Sequence, residues 1–295
     1  MKILVIGGSG TVGSHLVKKF RDNNEDFEFT VNKNKIEGET RKSLDITKEQ
    51  DTFELIHKSN PDIVINAAAL TNHDICEDDH ELADLINIIG TANIIEGCKN
   101  TKSKICQIST SFVFDGKKEE YVEDDLRSPA NYYGLTKMKA EKRIQESGLK
   151  YLILRTDCLY GWTKKFQREN PVMRVINALK SGKTFKEITD WYNTPTYIPD
   201  FISGLQTLIE NDNKGIYHIT GSDYIDRFSL TIKTAEIFNL NKKLLIPINS
   251  SLLNLSAKRS NVNLKNIKFV EQTGMKMKGV TEGLIQMLKD KPNDN

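Results

Sequence analysis

Residues 3–20 read ILVIGGSGTVGSHLVKKF, and the order of their parts decides the fold. Ile3, Leu4, Val5 and Ile6 make an unbroken apolar run, the pattern of a parallel strand covered on both faces. Gly7, Gly10 and Gly13 follow at G-x-x-G-x-x-G spacing. Val12, Leu16, Val17 and Phe20 then recur at helical spacing. Strand, glycine turn and helix together aim free backbone N–H groups and a positive helix end at a pyrophosphate, so this stretch reads as a dinucleotide site. The plainer reading is a glycine turn with nothing bound.

Outward from that stretch, strands and helices alternate. Asp26–Asn32 (DFEFTVN) is expected as the second strand, followed by a Lys-rich loop over 33–42. Thr47 and Gln50 read as a capping box opening a helix through His57. Asp62–Ala69 (DIVINAAA) is a third buried strand ending in small residues. His80–Cys98 is expected as one long helix with Leu82, Leu85, Ile86, Ile89, Ala92 and Ile95 on one face. Lys104–Thr110 makes the fourth strand, Tyr132–Ser147 the next helix and Tyr151–Thr156 the fifth strand. This rhythm predicts an α/β, Rossmann-type doubly wound parallel sheet over residues 1–156, with right-handed crossovers. Past residue 156 it changes. Helices are expected at Pro171–Ser181, from Pro199 to Glu210, and from an Asp226 cap through Phe238. Thr184–Tyr197 reads as loop-like with a strand allowed, and 216–220 as a strand returning to the sheet. Residues 157–295 read mainly as a smaller C-terminal substrate lobe over the carboxyl ends of the strands.

The chain has 295 residues and a net charge of +2 with mixed signs, which gives no field strong enough to imply nucleic acid. No apolar run approaches the roughly 20 residues that cross a bilayer, and no signal peptide is recognisable, so no membrane partner is expected and a cytoplasmic location is. Cys76, Cys98, Cys106 and Cys158 lack C-x-x-C spacing and read as free thiols of a reducing compartment. His73, Asp74 and Cys76 fall in a segment read as loop, without metal-ligand spacing, and no metal is expected.

Three features carry chemistry. Tyr133 and Lys137 form Y-x-x-x-K at the start of a helix, which puts them on one face a turn apart. An ammonium there lowers the phenol's pKa and lets it exchange a proton with a carbonyl or alcohol oxygen. At the end of the fourth strand, Ser109, Thr110 and Ser111 offer hydroxyls to the same oxygen; turn formation is the plainer role. Asn87 and Gly90 lie mid-helix, the first suited to holding a water or backbone group near the lysine, the second to close packing.

Together with LDIT (44–47), PDIVINAAALT (61–71), ISTSFVFDG (108–116), NYYGLTKMKAE (131–141), LRTDCLYG (154–161), DWYNTPT (190–196), GIYHITG (215–221) and AKRSNVNL (257–264), these residues resemble the extended short-chain dehydrogenases/reductases. Within that superfamily the chain is most similar to the dTDP-4-dehydrorhamnose reductase family, over nearly its whole length. The resemblance implies hydride transfer to C4 of a nucleotide-linked 4-keto-6-deoxy sugar. Tyr133 would then be the proton donor, Lys137 its activator and a ligand of the nicotinamide ribose, and Thr110 the hydroxyl that orients the carbonyl. Gly10, Thr11 and Val12 would line the pyrophosphate, Asp45 and Ile46 the adenine, and Ala67, Ala68 and Ala69 the adjoining ribose and phosphate. Ser111 and Cys158 would face the sugar, at positions where the family usually has Asp and an aromatic residue. Arg259 is placed to contact the substrate diphosphate, or else is a solvated surface Arg. Trp191, Tyr192 and Pro195 read as lid, sugar pocket or lobe packing.

Cofactor choice follows from charge. The second strand ends in Asn32-Lys33-Asn34-Lys35, with no carboxylate before Glu37 to take a ribose 2′-hydroxyl. Lysines welcome a 2′-phosphate, so NADP(H) is preferred and NAD(H) is allowed. A 4,6-dehydratase would need an acid and a base just after Thr110, and Ser111-Phe112 supplies neither. Two alternatives stay open: a cofactor-binding regulatory subunit similar to that of methionine adenosyltransferase, and a reductase or epimerase acting on another nucleotide sugar. A homodimer is allowed by the superfamily, with no face identified.

Overall fold

In chain order the strands are β1 (Ile3–Ile6), β2 (Phe27–Val31), β3 (Lys42–Ser43), β4 (Ile63–Asn66), β5 (Lys104–Thr110), β6 (Tyr151–Thr156), β7 (Leu159–Tyr160), β8 (Phe185–Ile188), β9 (Tyr192–Asn193), β10 (Thr196–Tyr197), β11 (Gly215–His218), β12 (Ile225–Asp226) and β13 (Leu245–Ile248). The helices are α1 (Thr11–Asp22), α2 (Glu49–Ser59), α3 (His73–Asp78), α4 (His80–Asp84), α5 (Gly90–Thr101), α6 (Tyr132–Glu146), α7 (Pro171–Lys180), α8 (Ile198–Glu210), α9 (Arg227–Ile237), α10 (Ile267–Thr273) and α11 (Val280–Lys289). This computed structural model describes residues 1–32 and 42–292. Lys33, and with it the lysine loop, lies outside the described residues.

Seven strands form one sheet in the order β3-β2-β1-β4-β5-β6-β11, all parallel. The order reverses between β1 and β4, and in open α/β sheets the ligand crevice lies at the carboxyl ends of the strands beside such a switch. Leu4, Val5, Ile63, Val64 and Ile65 are fully buried, as the continuous apolar runs require of a sheet covered on both faces. One face packs against α1 and α8 through Leu16, Phe20, Phe201 and Leu205, the other against α2 and α5 through Ile56, Ile94 and Ile95. The remaining strands form two-stranded pairs, β7 with β10, β9 with β12 and β8 with β13, and a separate apolar cluster joins α7, α9 and α11.

The long helix expected over 80–98 is interrupted. After α4, residues Leu85–Ile89 form a π-helical turn that leads into α5. The extra residue rotates the preceding turn, so Leu82, Leu85 and Ile89 are 37%, 43% and 41% exposed while Ile88 and Ala83 are buried. The expected apolar face is therefore split. The Thr47–Gln50 capping box does not form either: Lys48 is the residue before α2, the Thr47 hydroxyl and amide both donate to Asp45 Oδ1, and Gln50 bonds Glu54. Residues 73–78, read as loop, are the helix α3, capped by the Asn72 side chain.

A buried ion pair ties the sheet to α6. Arg155 Nε and Nη2 donate to the two carboxylate oxygens of Glu141 at 3.0 and 2.9 Å, and Ser109 Oγ donates to the same carboxylate at 2.5 Å. Arg127 Nη1 also donates to Glu141 Oε2 at 3.0 Å, so it is loss of Glu141 that would leave the buried Arg155 charge without a carboxylate, at a cost of about 3–5 kcal/mol. Ser109 precedes Thr110 on β5 and Glu141 lies one turn after Lys137 on α6, so the pair fixes strand end and helix relative to each other.

Candidate active site

The first wall of the crevice is backbone. Gly7 has φ +86°, a left-handed conformation, and a Cβ there would press on the Ala68 backbone at 2.9 Å. A Cβ on Gly13 would run into the Gly7 carbonyl oxygen, which is why helix and strand approach so closely. Gly10 is the residue before α1 and supplies no side-chain cap. The first N–H groups of α1, those of Thr11, Val12 and Gly13, are thus open to an anion. Across the crevice Ala67, Ala68 and Ala69 follow β4, held by Ala67 N to Ile6 O and by Ala68 N to Asn66 Oδ1. Asp45 and Ile46 follow β3, and Ile46 packs against Gly90, where a Cβ would meet its Cδ1 at 2.6 Å. Asn32 follows β2 and is exposed. The small residues, open N–H groups and Cβ-free approach fit a dinucleotide diphosphate.

The second wall is side chains. Asn131 accepts from Gly134 N at 2.8 Å and so starts α6 at Tyr132. Tyr133 and Lys137 follow on one face, both buried. Lys137 Nζ donates to Ile108 O at 2.8 Å, beside the end of β5 that carries Thr110. Burial lowers the Lys137 pKa to about 8, against the raising influence of Glu141. Burial also holds the Tyr133 phenol above its ordinary value, with the Thr110 hydroxyl pulling the other way. The lysine does not offset that burial here, contrary to the sequence expectation, because its ammonium is turned to the Ile108 carbonyl. The phenol is accordingly set as a proton donor. Asn87 grips Leu70 at both ends of its amide group, accepting from Leu70 N at 2.8 Å and donating to Leu70 O at 3.1 Å, and it also donates to Thr136 Oγ1. It holds backbone, as anticipated, at the crevice edge.

Beside Tyr133 stands a ring to which the sequence assigns no role. The His73 ring lies 4.9 Å from that of Tyr133 and 4.3 Å from that of Phe112. Burial, then Arg259 and Arg168, lower its pKa to about 3, so the imidazole is neutral. Trp191 packs edge-on to Phe112 and lies between two guanidiniums, Arg227 at 5.0 Å and Arg259 at 5.6 Å. Arg259 also donates to Asp74 Oδ2 at 2.6 Å and to Ala257 O at 2.7 Å. Ser111 is buried and its hydroxyl donates to Asp157 Oδ1 at 2.9 Å; the same carboxylate takes the Thr194 amide. Cys158 has φ +42° and its sulfur accepts from Arg227 Nη1 at 3.1 Å. All four cysteines are free thiols, with burial pushing Cys158 up to about 11. Among the described residues no group of His, Cys, Asp and Glu is arranged to hold a metal, and no helix is long and apolar enough to cross a membrane.

Comparison with known proteins follows this geometry. The family described as RmlD substrate binding domain matches residues 1–292. Methionine adenosyltransferase 2 subunit beta of Rattus norvegicus is 26% identical over 304 residues, covering 98% of this chain and 89% of that protein. dTDP-4-dehydrorhamnose reductase of Aggregatibacter actinomycetemcomitans is 29% identical over 238 residues, covering 78% and 77%. The crystal structure of dTDP-4-dehydrorhamnose reductase from Bacillus anthracis in complex with NADP superposes with a TM-score of 0.88 at 26% identity, covering 98% of this chain and 99% of that one.

Proposed function

The chain belongs to the RmlD substrate binding domain family, and from that premise we propose that it is an NADPH-dependent reductase of a nucleotide-linked 4-keto-6-deoxy sugar, of the dTDP-4-dehydrorhamnose reductase kind that serves dTDP-L-rhamnose synthesis. The observation that carries this reading is the convergence of Tyr133, Thr110 and Lys137 beside the crevice whose other wall is the glycine turn. Residues 1–156 with β11 act as the cofactor lobe and 157–295 mainly as the substrate lobe.

NADPH, when bound, supplies the hydride. Gly7, Gly10, Thr11, Val12 and Gly13 would hold its diphosphate through backbone, with Ala67, Ala68 and Ala69 opposite, Asp45 and Ile46 at the adenine, and Asn32 toward the 2′-phosphate. NADP(H) is preferred over NAD(H) because the second strand ends without a carboxylate. Thr110 orients the sugar carbonyl, and Tyr133 gives its phenolic proton to the carbonyl oxygen as charge develops there. Lys137, bonded to the Ile108 carbonyl in the free protein, would turn to the nicotinamide ribose and activate Tyr133 from there. Arg259 leaves Asp74 for the substrate diphosphate, whose two charges outbid one carboxylate. Ser111 and Cys158 border the sugar, Ser111 acting through Asp157.

The test is NADPH oxidation with a dTDP-4-keto-6-deoxyhexose, wild type against Tyr133→Phe. Equal rates remove the mechanism. A second reading, a cofactor-binding regulatory subunit, is favoured by the match to the methionine adenosyltransferase subunit, which covers 98% of this chain; absence of turnover together with co-purification with a methionine adenosyltransferase catalytic subunit would establish it. The exposed Leu82, Leu85 and Ile89 support a homodimer, which light scattering reads directly. The expected location is the cytoplasm.

A further inference from the structure

We propose that Gln167 is a positioning residue for cofactor binding, acting on the glycine turn from behind. The inference rests on the reading of the crevice as a dinucleotide site. Gln167 lies between β7 and α7, more than 150 residues from the turn in sequence, and is 8% exposed. Its Nε2 is 3.0 Å from Ser9 O, 3.1 Å from Gly10 O and 2.9 Å from Ser14 Oγ. Its Oε1 accepts from Lys164 N at 2.9 Å, which fixes which end of the amide faces the turn: the reverse orientation would set an oxygen against two carbonyls.

Because C=O and N–H of a trans peptide point in opposite directions, a carbonyl drawn back from the crevice turns the N–H of the next residue into it. Ser14 N already donates to Gly10 O at 2.8 Å, and the bond from Gln167 adds a second tie to the same carbonyl, which fixes the direction of Thr11 N–H, the first open donor of α1. Gly10 has no side chain to cap the helix, and Gly7 is held in the left-handed region. A glycine turn has the widest conformational freedom in the chain, and freedom lost on binding a diphosphate weakens the binding. Gln167 removes part of that freedom beforehand. Cofactor affinity is therefore set partly from the C-terminal half of the chain.

The experiment compares wild type, Gln167→Ala, Gln167→Glu and Ser14→Ala in two assays. The first is titration with NADPH and with adenosine 2′-monophosphate, which carries the adenosine and 2′-phosphate but no 5′-phosphate to sit on the turn. The second is amide hydrogen exchange of the ligand-free protein. Loss of neutral hydrogen bonds in Gln167→Ala weakens NADPH about tenfold. Gln167→Glu, which sets carboxylate oxygens against the two carbonyls, weakens it more, and Ser14→Ala by about threefold. Binding of adenosine 2′-monophosphate stays within about twofold in each, and exchange quickens over residues 7–14. NADPH affinity unchanged in both Gln167 variants, or an equal loss for adenosine 2′-monophosphate, overturns the proposal. Should wild type bind no NADPH, the cofactor reading fails by itself. Hydrogen exchange still decides the role of Gln167, because unaltered protection of the turn in Gln167→Ala removes it.

Discussion

The two walls of the crevice are made of different material. On the glycine side the working groups are peptide N–H, small residues and the space where a Cβ is missing. On the Tyr133 side they are long side chains brought from α3, α6, α9 and the segments around Trp191 and Arg259. A backbone wall is specified by neighbours in sequence and tolerates no added atoms. A side-chain wall is assembled from far-apart segments, and its charges set one another's protonation. The first wall recognises what all dinucleotides share; the second decides what is reduced.

The most severe way to test that contrast is Tyr133→Phe, which keeps the ring packing against His73 and Phe112 but removes the proton donor. A fall in kcat of about 10³-fold with NADPH affinity preserved is the expected outcome, read by steady-state kinetics and cofactor titration. Gly13→Ala probes the other wall. The new methyl meets the Gly7 carbonyl, and NADPH binding weakens by about 50-fold, as overpacking against rigid backbone costs about 1–3 kcal/mol. A variant that bound NADPH normally would show that the turn gives way. Arg259→Met raises KM for the nucleotide sugar by about 20-fold while leaving the NADPH Kd alone, the loss of a charged hydrogen bond. If both constants move together, the division between the walls is wrong.

The mildest test is pH. Above about 8 the buried Lys137 gives up its proton, so kcat/KM falls with an alkaline limb near that value, about tenfold per unit beyond it. Stability moves the other way. The unfolded chain holds the same proton up to 10.5, so between about 8 and 10.5 it binds more protons than the folded chain, and this group alone makes folding more favourable as pH rises. His73, neutral down to about 3, adds no acid limb near 6.5. A flat profile from pH 7 to 10 would remove Lys137 from the chemistry.

The same contrast explains what could be read in advance. Ile3–Ile6 with its glycines, the strand ending at Thr110, and Tyr133 with Lys137 are local patterns, and each lies in the element that its spacing implied. The parallel sheet followed from them. The place of His73 against Tyr133 was not legible because its partners are rings 39 and 60 residues away, and because Asn72 starts a helix where short polar residues read as loop. Gln167 carries no local signal at all. The π turn was hidden for a different reason: Leu82, Leu85 and Ile89 keep an unbroken helical period, and nothing in apolar spacing marks the place where one extra residue enters.

That extra residue has a consequence for the chain's tolerance to length changes. Each residue of a helix advances it by about 100°. Deleting one position from Leu85–Ile89 would restore a regular spiral and swing everything before it around the axis. Leu82 would trade places with Ala83, and the carboxamide that clasps both ends of Leu70 would aim elsewhere. A shortening invisible to any composition-based comparison would thus unlatch the floor of the crevice. A substitution at the same positions, by contrast, would leave the winding intact.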